Sequence, residues 1–239
     1  MNKLFPRMYD CPEGKQIAQG GIYWAIYALV LPTIMFIATG GVISSRVVNG
    51  FDCAYYLINF LAVILIFRTY LIDSFWNVKM HIKHFLKTVG IGLIAFFAIE
   101  IALFFLWVFP SGTLGGFPLP IADSLYGLVT RWAFEKPPIL NHICLIVCVP
   151  VAMSCLYYAV CFAPTCQNKI WIGYLLVAVI ALIPTVLLVT AQGYAVLEAV
   201  TSYICLLPFH MCACWIYQNT DTIWGPILFH AIVNLISIY

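Results

Sequence analysis

His230 and Asn234 stand four residues apart in LFHAIVN. On a helix they stack on one face, so an imidazole and an amide share one stripe of an otherwise apolar segment. His210 lies in LLPFHMC, and Glu100 sits in AFFAIEIALFF. A charge at the centre of an apolar span costs about 2.5–3.5 kcal/mol even on the lenient insertion scale, so each such group needs a partner or a wet cavity. For Glu100 this allows a protonated carboxyl bonded to a neighbouring helix or a functional acid. Glu198, in YAVLEAV, lies about one turn from the end of its segment and reads as interfacial. His210, Cys212 and Cys214 form H-x-C-x-C. On a helix His210 and Cys214 share a face while Cys212 points away, so a metal would need a ligand from elsewhere. Cys144, Cys148 and Cys155 fall on one helical face, as small apolar packing residues do. No metal and no cofactor is expected.

These groups must be held by helices in lipid. Of 239 residues 64% are apolar and 8% charged, and mean hydropathy is +1.02. That charge content is about a third of what a soluble domain carries. Soluble, disordered and disulfide-stapled secreted classes are thereby excluded, and a membrane protein remains. The net charge of +2, with no polybasic tract, implies no nucleic-acid partner. The expected fold is all-α, a polytopic transmembrane bundle. Apolar runs predict seven spanning helices at 21–45, 51–72, 89–109, 139–162, 170–191, 194–217 and 223–239. The first 20 residues are too polar for a secretory signal, so the first helix is expected to stay as an anchor.

Basic residues set the expected orientation. With the N-terminus inside, Lys3, Arg7, Lys15, Lys79, Lys83, Lys87 and Lys169 face the cytoplasm, against Arg46, Arg131 and Lys136 outside. The expectation is an integral protein of the plasma membrane with its C-terminus outside. Residues 73–87 (DSFWNVKMHIKHFLK) read as a basic amphipathic segment on the inner headgroup surface. Residues 111–138, rich in Gly and Pro, read as the longest external connection, with a re-entrant piece at 121–134. At ~1.5 Å per residue, His230 lies about 6 Å from Pro226 and His210 about 10 Å from the inner end of its helix. The two histidines therefore share a level, while Glu100 lies deeper, about 16 Å in.

The stretch YICLLPFHMCACWIYQNTDTIWGPILFHAIVNLI reads as helix, short polar turn, then W-G-P-I-L-x-H-x-x-x-N. Pro226 suits a first helical turn, where its missing N–H is harmless. This strongly resembles the last two helices of the CPBP family, the CAAX-processing and bacteriocin-processing intramembrane proteases also called Abi. The resemblance spans roughly Asn141 to Tyr239. It implies a four-helix core at 139–239, preceded at 1–138 by three further spans, and a cavity opening to the cytoplasm. It also implies that the closing His and Asn position water and stabilise an oxyanion. The family carries a Glu-Glu-x-x-x-Arg motif after a small-residue–Pro pair, one Glu acting as general base, and a Phe-x-x-x-His motif on the next helix. Here Val149-Pro150 takes the place of that pair. Met153 and Ser154 fall on the glutamates, Tyr158 on the arginine, and Ala181 with Pro184 or Thr185 near the Phe and His.

The closing motif is thus present and the acid motif absent. Neither Met nor Ser acts as a carboxylate base, and loss of a general base typically costs 10²–10⁴ in rate. The expected function is a non-catalytic, pseudoprotease-type membrane protein. It would hold a hydrophobic peptide, lipid or membrane-protein partner, as in bacteriocin immunity, regulation or a complex. Its cavity residues would be Ser154, Tyr158, Thr185, His210, His230 and Asn234. Two alternatives stand beside it. One is an active endopeptidase with a displaced acid, using Glu100, His210, His230 and Asn234. The other is a transporter or channel subunit in which Glu100, Arg68 and the histidines line a path.

Overall fold

A computed structural model describes residues 10–26, 45–111, 139–167, 169–191 and 196–238. Among them are seven helices and no strand. They are α1 (Gly14–Ala25), α2 (Ser45–Met80), α3 (Ile82–Ser111), α4 (139–166), α5 (Ile170–Ala191), α6 (Val196–Thr220) and α7 (Trp224–Ile238). The all-helical expectation holds. Tyr55–Met80, Ile82–Leu103 and Cys144–Cys166 are long and apolar enough to cross a membrane, and Ile170–Ile183 and Trp224–Ile236 are shorter apolar helices.

The helix ends differ from the sequence reading. α1 starts at Gly14 rather than Gly21, because Glu13 and Gln16 form its first turn. The Glu13 N–H donates to Gln16 Oε1 at 3.1 Å, filling one of the donors a helix start leaves open. α2 continues past Ile72 to Met80, and α3 starts at Ile82 rather than Val89. Residues 73–87 are therefore not a separate surface helix. They are the meeting ends of α2 and α3, interrupted only at His81. The physical reason is that Val78, Phe85 and Thr88 are buried within the bundle, while Lys79 and Lys83 sit at helix ends and reach outward. Lys79 lies over the Trp76 ring, 4.9 Å from its centroid. The 112–138 connection, including the expected re-entrant piece, lies outside the described residues.

The core forms around α4. Of its spanning window 78% is buried, against 28% for α2 and for α3, so α4 is the central helix. α1 packs on α4 and α2, α5 and α6 pair, and α3 lies against α6 and α7. Polar groups pair between helices as an apolar environment demands. Gln16 Nε2 donates to the Ile66 carbonyl at 3.2 Å and to Thr69 Oγ1 at 2.9 Å. The Tyr23 hydroxyl donates to Asn59 Oδ1. The α3–α6 contact depends on a missing side chain. A Cβ on Gly92 would lie 2.4 Å from Ile216 Cδ1, whereas one on Gly90 meets nothing within 4 Å. Small residues at helix crossings allow this approach. Gly92→Leu is accordingly expected to cost ~1–3 kcal/mol by overpacking, while Gly90→Leu is close to neutral. Paired thermal unfolding curves in one detergent check the difference, and equal losses would refute this assignment of the contact.

Candidate functional site

Pro150 governs the helix that carries the site. The stretch Cys144–Cys148 is wound in π geometry, and Ser154–Phe162 is wound the same way beyond a short α turn. In the first π stretch the Val149 N–H reaches the Cys144 carbonyl, five residues back. The same register would bring residue 150 to the Leu145 carbonyl, but proline has no N–H to give. That acceptor is filled from another helix. Asn234 Nδ2 of α7 donates to the Leu145 carbonyl at 2.7 Å, and Asn234 is 4% exposed. π windings inside α-helices occur often at functional sites.

Beside this bond the structure gathers the other polar groups. The Tyr158 hydroxyl and His210 Nδ1 are hydrogen-bonded at 3.0 Å. The Tyr157 ring lies 5.3 Å from that of His210. Phe209 joins the two histidines, with its ring 5.5 Å from His210 and 4.9 Å from His230, edge to face in both cases. His230, Tyr158 and Ser154 are fully or almost fully buried. Phe96, Phe209 and Phe229 form an apolar wall: Phe209 and Phe229 stack at 5.2 Å, and Phe96 meets both edge-on. Phe209 of this wall thus touches both imidazole rings.

Among the described residues three buried polar groups find no hydrogen-bond partner: Trp24 Nε1, Ser154 Oγ and the Glu100 carboxyl. Ser154 Oγ, on the α4 position aligned with a glutamate, is buried with no hydrogen bond. Both carboxyl oxygens of Glu100 are likewise buried and unpaired. Glu100 lies on α3 one turn beyond Phe96, and no histidine reaches its carboxyl. The side chains of Thr185 and Glu198 lie outside the described residues. Ala181, which the alignment sets near the family's Phe, is buried on α5. Among the described residues no three His, Cys, Asp or Glu side chains are grouped as metal donors. Cys144 and Cys148 pack against Tyr56, Leu57 and Phe60 of α2, whereas Cys155 lies in the main core.

A second polar group, at the turn between α6 and α7, has no counterpart in the sequence reading. Asp10, from the segment before α1, meets Tyr70 and Ser74 of α2 and the Ile223 N–H at the turn. Nothing in the sequence distinguishes Asp10 from a solvated acid. Only the neighbouring D-T-I-W turn marks where it docks.

Residues 149–236 match the family described as type II CAAX prenyl endopeptidase Rce1-like. The matched stretch runs from the Pro150 turn of α4 through α5 and α6 to Asn234 and Ile236 of α7, in agreement with the resemblance carried by the closing motif. No curated protein and no solved structure matches the chain. The apolar spans and this match together make the chain an integral membrane protein.

The role of Asn234 as a backbone donor can be measured. Asn234→Ala strands a buried carbonyl and is expected to cost about 1–3 kcal/mol of stability. Pro150→Ala restores an N–H at residue 150, so in that background Asn234→Ala is expected to cost distinctly less. A double-mutant cycle on chemical unfolding reads the coupling. Strictly additive losses would mean that Pro150 and Asn234 do not share the Leu145 carbonyl.

Proposed function

We propose that this chain is a non-catalytic membrane-embedded relative of CAAX-type endopeptidases that binds a prenylated or otherwise hydrophobic peptide without cleaving it. The observation that carries the proposal is Ser154. With Met153 it stands on the two positions of α4 that the resemblance aligns with the family's glutamates, near the turn that Pro150 and Asn234 build, and it offers a buried unpaired hydroxyl instead of a carboxylate. A hydroxyl can meet a peptide carbonyl by hydrogen bond, but it cannot take a proton from water at neutral pH. Tyr158 and His210 then act as polar contacts, and the Phe96–Phe209–Phe229 wall supplies apolar surface for the lipid-like part of the ligand.

The remaining groups support binding over hydrolysis. Asn234, which the resemblance would assign to water and oxyanion, spends one amide hydrogen on the Leu145 carbonyl. Glu100 is the best candidate for a displaced acid, yet its carboxyl bonds no histidine. A general base must lie within about 2.6–3.2 Å of the proton it removes, directly or through one water. The bilayer is the surrounding solvent, and the orientation we favour places the α6–α7 turn at the cytoplasmic face, where the basic ends of α2 and α3 lie.

The test uses the full chain in nanodiscs and a fluorescent peptide ending in a farnesylated CAAX sequence. Anisotropy reports binding, and mass spectrometry reports release of the terminal tripeptide. Saturable binding with no tripeptide is expected, unchanged in Glu100→Gln and weakened at least tenfold in Ser154→Phe, where bulk fills the site. Tripeptide release that disappears in Glu100→Gln would establish an active peptidase instead. Absence of saturable binding would remove the peptide reading.

A further inference from the structure

The end of α2 and the α6–α7 turn build a cradle that holds a carboxylate. Asp10 Oδ2, from the segment before α1, accepts from the Tyr70 hydroxyl at 2.9 Å, from the Ser74 hydroxyl at 2.8 Å and from the Ile223 N–H at 3.1 Å. The Asp10 N–H donates to Asp221 Oδ1 at 2.9 Å. Tyr70, Ser74 and Ile223 are buried, as is Tyr217, which bonds both the Tyr70 hydroxyl and the Asp10 carbonyl. Donors shut away from water need an acceptor, and two hydroxyls and an N–H around one oxygen suit an ionised carboxyl group. The walls of the cradle belong to α2 and the turn. The carboxylate that fills it comes from a segment, residues 10–13, that is not helical.

The cradle stands at a defined distance from the candidate site. Tyr217 follows His210 by seven residues on α6, and Ile223 precedes His230 by seven. The Ile223 carbonyl already accepts from the Ile227 N–H, so Ile223 lies on the path of α7. Seven residues are close to two helical turns, so each pair shares a face and is ~10 Å apart along its helix. Cys155, next to Ser154 on α4, is near enough to Asp10 to sense its charge. In a CAAX end the prenylated cysteine is followed by three residues and a free carboxylate. Three extended residues reach ~10 Å. A peptide whose cysteine lies at the histidines therefore brings its terminal carboxylate to the level of Tyr217 and Ile223.

We propose that the Tyr70–Ser74–Ile223 cradle receives the terminal carboxylate of the bound peptide, and that Asp10 fills it as a built-in stand-in which the peptide displaces. This rests on the peptide-binding function proposed above and adds to it the subsite that recognises the free end of the peptide. A terminal residue carries both groups that Asp10 presents: an N–H for Asp221 and, one bond nearer to that N–H, a carboxylate for the three donors. No covalent bond changes. The exchange replaces one set of carboxylate hydrogen bonds by an equal set, so the donors are never left open in the bound state. An amide in place of the terminal carboxylate loses the charge that strengthens these bonds. Cys11 is half-buried beside Asp10 and packs on the core, so displacement of the segment uncovers its thiol.

Two fluorescent farnesylated CAAX peptides test this, one ending in a free acid and one in an amide. The full chain is held in phosphatidylcholine nanodiscs, which carry no net charge to favour either peptide. In Asp10→Ala, whose cradle is vacated, the acid is expected to bind roughly tenfold or more tightly than the amide. Relative to wild type, Asp10→Ala should bind the acid more tightly and the amide equally well. In the wild type, saturating acid peptide should speed labelling of Cys11 by an impermeant maleimide, read by mass spectrometry at that residue, and the amide should not. This measurement needs no variant and decides the proposal if Asp10→Ala does not fold. Equal binding of acid and amide overturns the subsite and leaves the peptide-binding function standing. Acid preference with Cys11 labelling unchanged overturns the displacement of Asp10. No saturable binding of either peptide to either form removes the peptide-binding function, and the subsite with it.

Discussion

In an apolar interior a backbone carbonyl without a donor is costly, and this protein places a proline where one must arise. Pro150 cannot close the π turn on Leu145, and Asn234 supplies the missing hydrogen from α7. One bond therefore ties the most buried helix to the last one and sets their relative height. His230 lies one turn before Asn234 on the same face, so its depth beside His210 follows from that tie.

The other end of α7 is held with equal specificity. Thr222 donates to the Ser74 carbonyl, and Trp224 Nε1 donates to the Leu71 carbonyl while its ring meets Phe75. Gly225 is required by proximity: a Cβ there would fall 2.5 Å from Thr220 Oγ1, itself bonded to the Ile216 carbonyl. Asp221 takes a positive φ of 49°, a conformation that Asp tolerates better than most residues. A helix of 15 residues is thus fixed near both ends. The W-G-P-I-L-x-H-x-x-x-N pattern is, in physical terms, a set of anchors around one histidine. Trp224, Gly225 and Asn234 of the pattern each hold α7 against its neighbours.

The aromatic wall and the histidines illustrate how apolar and polar requirements are met together. Phe209 packs on both imidazoles, so they are desolvated by the residue that also builds the α3–α6–α7 contact. Glu100, one turn further along α3, remains on the far side of Phe96 from the turn and without a partner.

Sequence alone determined that the chain is helical and lies in lipid, because 64% apolar content in runs of about 20 residues leaves no other solvent for it. It also determined the likeness of the last helices to CAAX-type proteases and the lack of glutamates at Met153 and Ser154, since both are matters of residue identity at fixed spacing. Helix rise sets the expectation that His210 and His230 share a level, because that depends only on distance along each helix. The tertiary structure alone decided the rest. The donor that fills the Leu145 carbonyl left open by Pro150 comes from α7, 89 positions away, and no local pattern encodes that distance. Residues 73–87 alternate basic and apolar as a surface helix would, yet burial of Val78 and Phe85 draws them into the ends of α2 and α3. Asp10 looked like one more solvated acid in a polar leader. It became the meeting point of α2, α6 and α7 because a buried carboxyl is defined by the donors that long-range folding brings to it, not by its neighbours in the chain.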